Sequence, residues 1–230
     1  MTSDVLKRAP QILAPIAVAY GQRLKEFGAK PKGVLWKNRE GQLLRFEVLA
    51  GILDPGLRRQ VFSVNDLGCG YAALFEFLLA LPGAEVSRYH GYDISEHMVR
   101  LGRARIANPR AAFTQSLIAT EKADYSFVSG TYNLHLDVKA GEWTEYVKAS
   151  LAQLWTKTAK GMAFNMLSVD SANRLDGLYY ADGEEFLDFS SRTLTADVTL
   201  IDDYPLDEWT ILARRQAVNG SPEPASRAAK

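Results

Sequence analysis

Apolar positions change their spacing at Val61. Before that point they recur every three or four residues, ahead of Tyr20 and again through "QLLRFEVLAGIL", which predicts a helical cap over residues 1–55. From Val61 short apolar runs alternate with helical segments. The predicted strands are "VFSVNDL", "SRYHGYDI", "AAFTQ", "DYSFVSG" and "GMAFNML"; between them lie the predicted helices "YAALFEFLLAL", "SEHMVRLGRARIA" and "EWTEYVKASLAQLWTKT". This order predicts an α/β domain built on a mainly parallel sheet with helices on both faces. The rhythm then breaks. "ADVTLIDDY" and "DEWTILARR" are separated only by "PL", too short for a parallel crossover, so they predict an antiparallel C-terminal hairpin. Residues 1–218 are therefore read as a single domain with its α/β core over 61–215, and the small, polar, Pro-containing 219–230 as a flexible tail.

Composition narrows the function. Lys plus Arg and Asp plus Glu each total 27, so no bulk positive field draws in nucleic acid or an anionic membrane. The single cysteine, Cys69, has no internal partner and fits a reducing, cytoplasmic setting. Lys7, Arg8 and the Ala17-Val18-Ala19 run resemble parts of a secretory signal, but two prolines break the apolar stretch and helix-like sequence continues beyond it. No run approaches the ~20 apolar residues that span a bilayer. A soluble protein is expected.

The chemistry concentrates in "VNDLGCGYAALFEFL". Gly68 and Gly70 end the first predicted strand, where their backbone freedom allows a ligand close to the main chain, and the following helix aims its free N–H groups at the same place. The spacing Gly68-x-Gly70-x-x-Ala73 also matches the loose dinucleotide fingerprint. Asp66 separates the two readings, because a negative charge two residues before Gly68 opposes a pyrophosphate and favours an ammonium group. Asp93, at the end of the second strand, suits both ribose hydroxyls of either nucleotide class, and is also placed to cap the helix starting at Ser95 or Glu96.

"NDLGCGYA", "YHGYDIS", "DYSFVSG" and the terminal hairpin resemble class I S-adenosylmethionine-dependent methyltransferases. "PKGVLWKNREGQLLRFEVL", "SGTYNLHL", "GMAFNMLSVD" and "LYYADGEEFLDF" extend the resemblance, over residues 20–214, to a group of small bacterial members. The resemblance implies a Rossmann-like fold with S-adenosyl-L-methionine as cofactor and no metal. It implies that Asp66, Gly68 and Gly70 surround the methionyl part and that Asp93 holds the ribose. Ile94 and Met98 would flank the adenine, Gln115 or Ser116 would meet its amino group, and Ser129 and Gly130 would line the floor near the sulfonium. Trp36 and Arg45 would reach the cofactor carboxylate or lid. The sequence departs from the family pattern at Ala72, where a third glycine is frequent, and at Gln115-Ser116, where an acid is frequent.

The implied reaction moves the sulfonium methyl to an oxygen or nitrogen of a small-molecule acceptor, a sugar or another biosynthetic intermediate. The Asn-Pro-Pro-Tyr type sequence of related amide and base methylases is replaced by "GTYN", against a nucleic-acid substrate. Catalytic candidates are His135 as general base, Asn133 as acceptor-orienting amide and Tyr132 beside it, all in the loop after the fourth strand. Tyr179, Tyr180 and Asp182, in a loop over residues 176–186, are candidate acceptor contacts, and Asn165 is a candidate supporting amide. His90 and His97 read as structural or exposed. An NAD(P)-dependent oxidoreductase would use the same sheet, but Asp66 and the hairpin weigh against it. A non-catalytic cofactor-binding subunit would have no use for the polar loop "TYNLH". The oligomeric state is not legible.

Overall fold

A computed structural model describes residues 2–28, 38–53 and 60–216. The N-terminal cap is two helices, α1 (Thr2–Phe27) and α2 (Arg39–Ala50). Helix α1 buries Val5, Ala9, Leu13 and Ile16, a stripe at spacings of three and four, while Pro10 and Pro15 face outward. Helix α2 starts at Asn38, whose Oδ1 accepts from the Gly41 N–H at 2.9 Å.

The core then follows the predicted alternation: β1 (Gln60–Leu67), α3 (Ala73–Ala80), β2 (Ala84–Asp93), α4 (Glu96–Arg105), β3 (Ala111–Gln115), β4 (Ala123–Ser129), α5 (Ala140–Trp155) and β5 (Thr158–Ser168). Two elements follow, the two-residue strand β6 (Tyr180–Ala181), inside the stretch 176–186 that the sequence reading took as loop, and helix α6 (Gly183–Thr193), which begins within it. Strands β7 (Asp197–Ile201) and β8 (Glu208–Arg214) close the chain as the expected antiparallel hairpin.

The eight-stranded sheet runs β3-β2-β1-β4-β5-β8-β7, with β6 paired to β5. Strands β1 to β5 are parallel to their neighbours, and β8 enters antiparallel between β5 and β7. Side chains alternate across the sheet as a period of two requires. On β5, Met162, Phe164 and Met166 join one core with α1 and α5, while Ala163 joins the other with α2 and α3. Strand order reverses between β1 and β4, since β2 and β3 lie on one side of β1 and all later strands on the other. Beyond the carboxyl ends of these strands the chain leaves a crevice, the usual ligand site of such sheets.

Candidate active site

The crevice is a concave cavity, partly open to solvent at its mouth, at the place where sheets of this kind bind small molecules. Its floor is the turn after β1. Gly68 and Gly70 both have positive φ, 78° and 52°, and the N–H groups of Gly68 and Cys69 both donate to Tyr92 O. A side chain at Gly68 is excluded: a Cβ there would sit 2.2 Å from Thr131 Oγ1, which donates to Leu67 O at 2.8 Å and ties the loop after β4 to β1. Ala72, where the family often has glycine, takes the left-handed conformation at φ 65° and begins α3 without any side-chain cap.

Two acids face this floor. Asp66, 2% exposed at the end of β1, accepts from the Tyr89 hydroxyl at 2.5 Å; burial, reinforced by Asp93, pushes its pKa up to about 7 although the Tyr89 bond opposes the rise. Asp93 accepts from Gly70 N at 3.0 Å on one oxygen and from Ser95 N at 2.8 Å on the other. It thus braces the glycine turn and the short turn that leads into α4, whose N-cap Ser95 makes no side-chain cap bond, and each oxygen keeps a lone pair for a ligand. Burial raises Asp93 to about 6. Tyr20, Gln42 and Phe46 from the helical cap, Ile94, Met98, Ser116 and Leu117 from the β2 and β3 side, and Ser129, Gly130, Tyr132, Trp143 and Tyr146 complete the wall. The Ser129 hydroxyl is buried without a partner among the described residues.

Most of the residues expected at the cofactor therefore meet in one cavity: Asp66, Gly68, Gly70, Asp93, Ile94, Met98, Ser116, Ser129 and Gly130. Gln115 does not line it; its Nε2 donates to Ile94 O at 3.1 Å from an exposed position. Arg45 also lies elsewhere. Its side chain, 6% exposed, forms a two-pronged pair with Glu208 of β8, Nε donating to Oε2 at 2.7 Å and Nη2 to Oε1. Glu208 also accepts from Asn165 Nδ2, and Asn165 Oδ1 accepts from Gly130 N at 2.9 Å, so the charge pair braces the loop after β4 from behind. Trp36 lies outside the described residues.

In the fold all three catalytic candidates are tied to neighbouring loops and helices. His135 does not line the cavity; its Nδ1 lies 2.6 Å from Val138 O, and its ring packs between Trp143 and Tyr179. Asn133 uses its Oδ1 to accept from Leu167 N at 3.3 Å and its carbonyl to accept from Tyr179 N at 2.9 Å, so it ties the loop after β4 to β5 and to the segment before β6. Tyr132 lines the cavity; its hydroxyl donates to Ser150 Oγ at 2.8 Å, and burial pushes its pKa well above the ordinary tyrosine value. Tyr179 shares a 2.6 Å bond with Thr144, Tyr180 accepts from Leu175 N, and Asp182 caps α6. Sequence reasoning missed Tyr20, Gln42, Thr131 and Glu208. None lies in a glycine-acid motif, and the contacts that matter link distant segments.

A nucleotide-type cavity at the switch point of a sheet that ends in an antiparallel hairpin is the Rossmann-like methyltransferase architecture. Solved structures share the fold. A DhpI complex with S-adenosylhomocysteine superposes with a TM-score of 0.61 at 14% identity, covering 88% of this chain and 96% of that one. Magnesium protoporphyrin IX methyltransferase (ChlM) from Synechocystis PCC 6803 with bound S-adenosylmethionine gives a TM-score of 0.55 at 15% identity, covering 77% and 81%. No family model matches the sequence. The Mycobacterium tuberculosis (strain ATCC 25618 / H37Rv) protein named "Putative methyltransferase Rv1506c" is 38% identical over 157 residues, 67% of this chain and 93% of that protein. The chain belongs to the class I S-adenosylmethionine-dependent methyltransferases.

Proposed function

We propose that S-adenosylmethionine occupies the cavity over Gly68–Gly70, with its amino group near Asp66 and its ribose on Asp93, and that its methyl group passes to a small organic acceptor. The observation that carries this reading is the charge of the wall. Among the described lining residues the ionisable acids are Asp66 and Asp93, and none is Lys, Arg or His. Two buried carboxylates without a cation raise each other's cost of ionisation. A ligand bearing an ammonium and a sulfonium supplies the missing charge, whereas the pyrophosphate of NAD(P) would add to the repulsion.

The cofactor brings an activated methyl, so the protein's share is chiefly positioning. Ser129 offers its unpartnered hydroxyl at the end of β4, and the Asn165 bond to Gly130 N fixes the adjoining backbone. Leu13, Ile16, Tyr132, Trp143 and Tyr146 present apolar and aromatic surface, which favours an acceptor with an apolar face over a fully hydroxylated one. His135 is assigned to the loop frame, and the proton that a hydroxyl or amine acceptor loses on methylation passes to water at the cavity mouth.

Calorimetry with S-adenosylhomocysteine and NAD in parallel tests the reading. Saturable binding of the first and none of the second is expected. NAD binding at comparable strength would overturn it.

A further inference from the structure

Along the sheet order β3-β2-β1-β4, Asp93 ends β2, the glycine turn follows β1 and Ser129 ends β4. A cofactor with its ribose on Asp93 and its amino group near Asp66 turns its methyl toward the β4 side of the cavity. There Leu13 and Ile16 of α1, Trp143 and Tyr146 of α5, and Tyr132 form the wall. The polar atoms of the three aromatic side chains are already engaged by the protein. Tyr132 donates its hydroxyl to Ser150 Oγ at 2.8 Å, Tyr146 bonds the same Ser150, and Trp143 Nε1 donates to Tyr132 O at 2.9 Å. The Tyr146 ring tilts against Trp143 with centroids 5.1 Å apart. What this wall offers a ligand is ring surface, which recognises a flat aromatic partner by stacking or edge contact rather than by hydrogen bonds. Ser129 differs. Its hydroxyl is buried, has no partner among the described residues and belongs to the same cavity.

The cavity also lacks a proton acceptor for a weakly acidic alcohol. None of its described lining residues is Lys, Arg or His, and Asp66 and Asp93 are committed to the cofactor's ammonium and ribose. Cys69 and the phenols of Tyr20, Tyr71, Tyr132 and Tyr146 are all pushed up by burial, so they keep their protons at neutral pH. An aliphatic alcohol ionises about as reluctantly as water, ~15.7, and would need a base; a phenol ionises at about 10 and releases its proton far more readily beside a positive sulfonium. Two acids and no cation also disfavour an acceptor that carries a carboxylate or phosphate.

We propose that the acceptor is a neutral hydroxyarene, seated flat against Trp143 and Tyr146 and methylated on a phenolic oxygen that Ser129 Oγ holds by a hydrogen bond. The inference rests on the cofactor placement proposed above. The phenolic proton leaves to water at the cavity mouth. An oxygen electron pair then forms the new C–O bond while the bond from the methyl carbon to sulfur breaks, and sulfur keeps that pair as the neutral thioether of S-adenosylhomocysteine.

The test uses the full chain and three probes: 2-naphthol, its saturated counterpart decahydro-2-naphthol, and methyl glucopyranoside. Calorimetry on the S-adenosylhomocysteine complex should show 2-naphthol binding at least ~10-fold more tightly than either other probe. With S-adenosylmethionine, mass spectrometry should find the methyl ether of 2-naphthol, the saturated alcohol and the glycoside reacting at least ~10²-fold more slowly. At saturating S-adenosylmethionine, the midpoint of the rising pH limb of turnover should move to lower pH when the more acidic 6-cyano-2-naphthol replaces 2-naphthol. A midpoint independent of the acceptor would reveal a protein base and overturn the proposal. Ser129→Ala should melt like wild type and keep S-adenosylhomocysteine affinity within about threefold, while turnover of 2-naphthol falls ~10-fold, the worth of one hydrogen bond. Unchanged turnover, or an equal loss of cofactor affinity, would remove Ser129 from the acceptor and overturn that assignment. Methylation of decahydro-2-naphthol or the glycoside at the rate of 2-naphthol would overturn the substrate class, as would a protein that binds S-adenosylhomocysteine yet neither binds nor methylates 2-naphthol. A protein that does not bind S-adenosylhomocysteine would overturn the cofactor placement itself, and the acceptor class with it.

Discussion

Single residues define the turn under the ligand, and their constraints are local enough to be read from the chain. Gly68 needs positive φ and has Thr131 against its Cα, so Gly68→Ala should destabilise the protein by ~2–3 kcal/mol, the sum of left-handed backbone strain and a displaced Thr131 hydrogen bond. Adding Thr131→Ala should restore part of the loss by removing the clash while leaving the strain; thermal melting of the single and double variants measures both. The acids at the ends of β1 and β2 were equally legible, since a carboxylate beside a glycine turn has few structural uses. Arg45 and His135 were not. The partner of Arg45 lies 163 residues away on β8, and a cation near a predicted site looks free until its counter-ion is found. His135 sits in the right loop, but its ring turns to Val138 O and to Trp143. Accordingly His135→Gln should leave turnover within about threefold of wild type across pH, where a general base would cost ~10² or more. A pH-dependent collapse of turnover would return His135 to the chemistry.

At the scale of elements, the parallel core was predictable because each strand and helix carries its own period, and the terminal hairpin because two residues cannot make a crossover. The stretch over residues 176–193 was harder. Strand β6 has two residues and pairs with β5 only at Leu167 and Ser168, below the length at which alternation registers. Helix α6 follows directly from the Asp182 cap, but the aromatic pair Tyr179-Tyr180 before it reads as easily as a binding loop. The junction of α2, β5 and β8 depends on one buried pair. Removing the guanidinium in Arg45→Met strands the Glu208 carboxyl, its side chain 2% exposed and held only by Asn165 among the described residues, which should cost ~3–5 kcal/mol by urea denaturation. Arg45→Met combined with Glu208→Leu removes the stranded charge and should recover much of that stability. The same double variant loses the brace behind Gly130, so it separates stability from site geometry: a folded protein with weakened S-adenosylhomocysteine binding is expected.

Across the whole molecule the charges balance, 27 basic against 27 acidic, yet the cavity concentrates two buried acids. This unevenness makes stability and binding run in opposite directions with pH. Asp66 rises to about 7 and Asp93 to about 6, both first through burial, from an unfolded value of about 3.9. A carboxyl whose folded pKa is raised binds its proton more tightly in the folded state, so its contribution to stability is complete below about pH 4 and disappears as pH climbs through 6 to 7. The ligand-free protein should therefore lose on the order of 6 kcal/mol from these two groups between pH 4 and 8. Asp66→Asn keeps an acceptor for the Tyr89 hydroxyl without the titration, and should flatten much of that slope in melts recorded over the same range. Binding demands the charged forms. As pH falls below 7 the acids must release protons before they can meet an ammonium and a ribose, and affinity for S-adenosylhomocysteine should drop by roughly tenfold or more between pH 7.5 and 5.5. Calorimetry in buffers of different ionisation enthalpy should register proton release on binding near pH 6.5. A ligand that binds with equal strength and no proton release at both pH values would show that the two acids remain protonated beneath it, and would remove the charge argument from the assignment of the site.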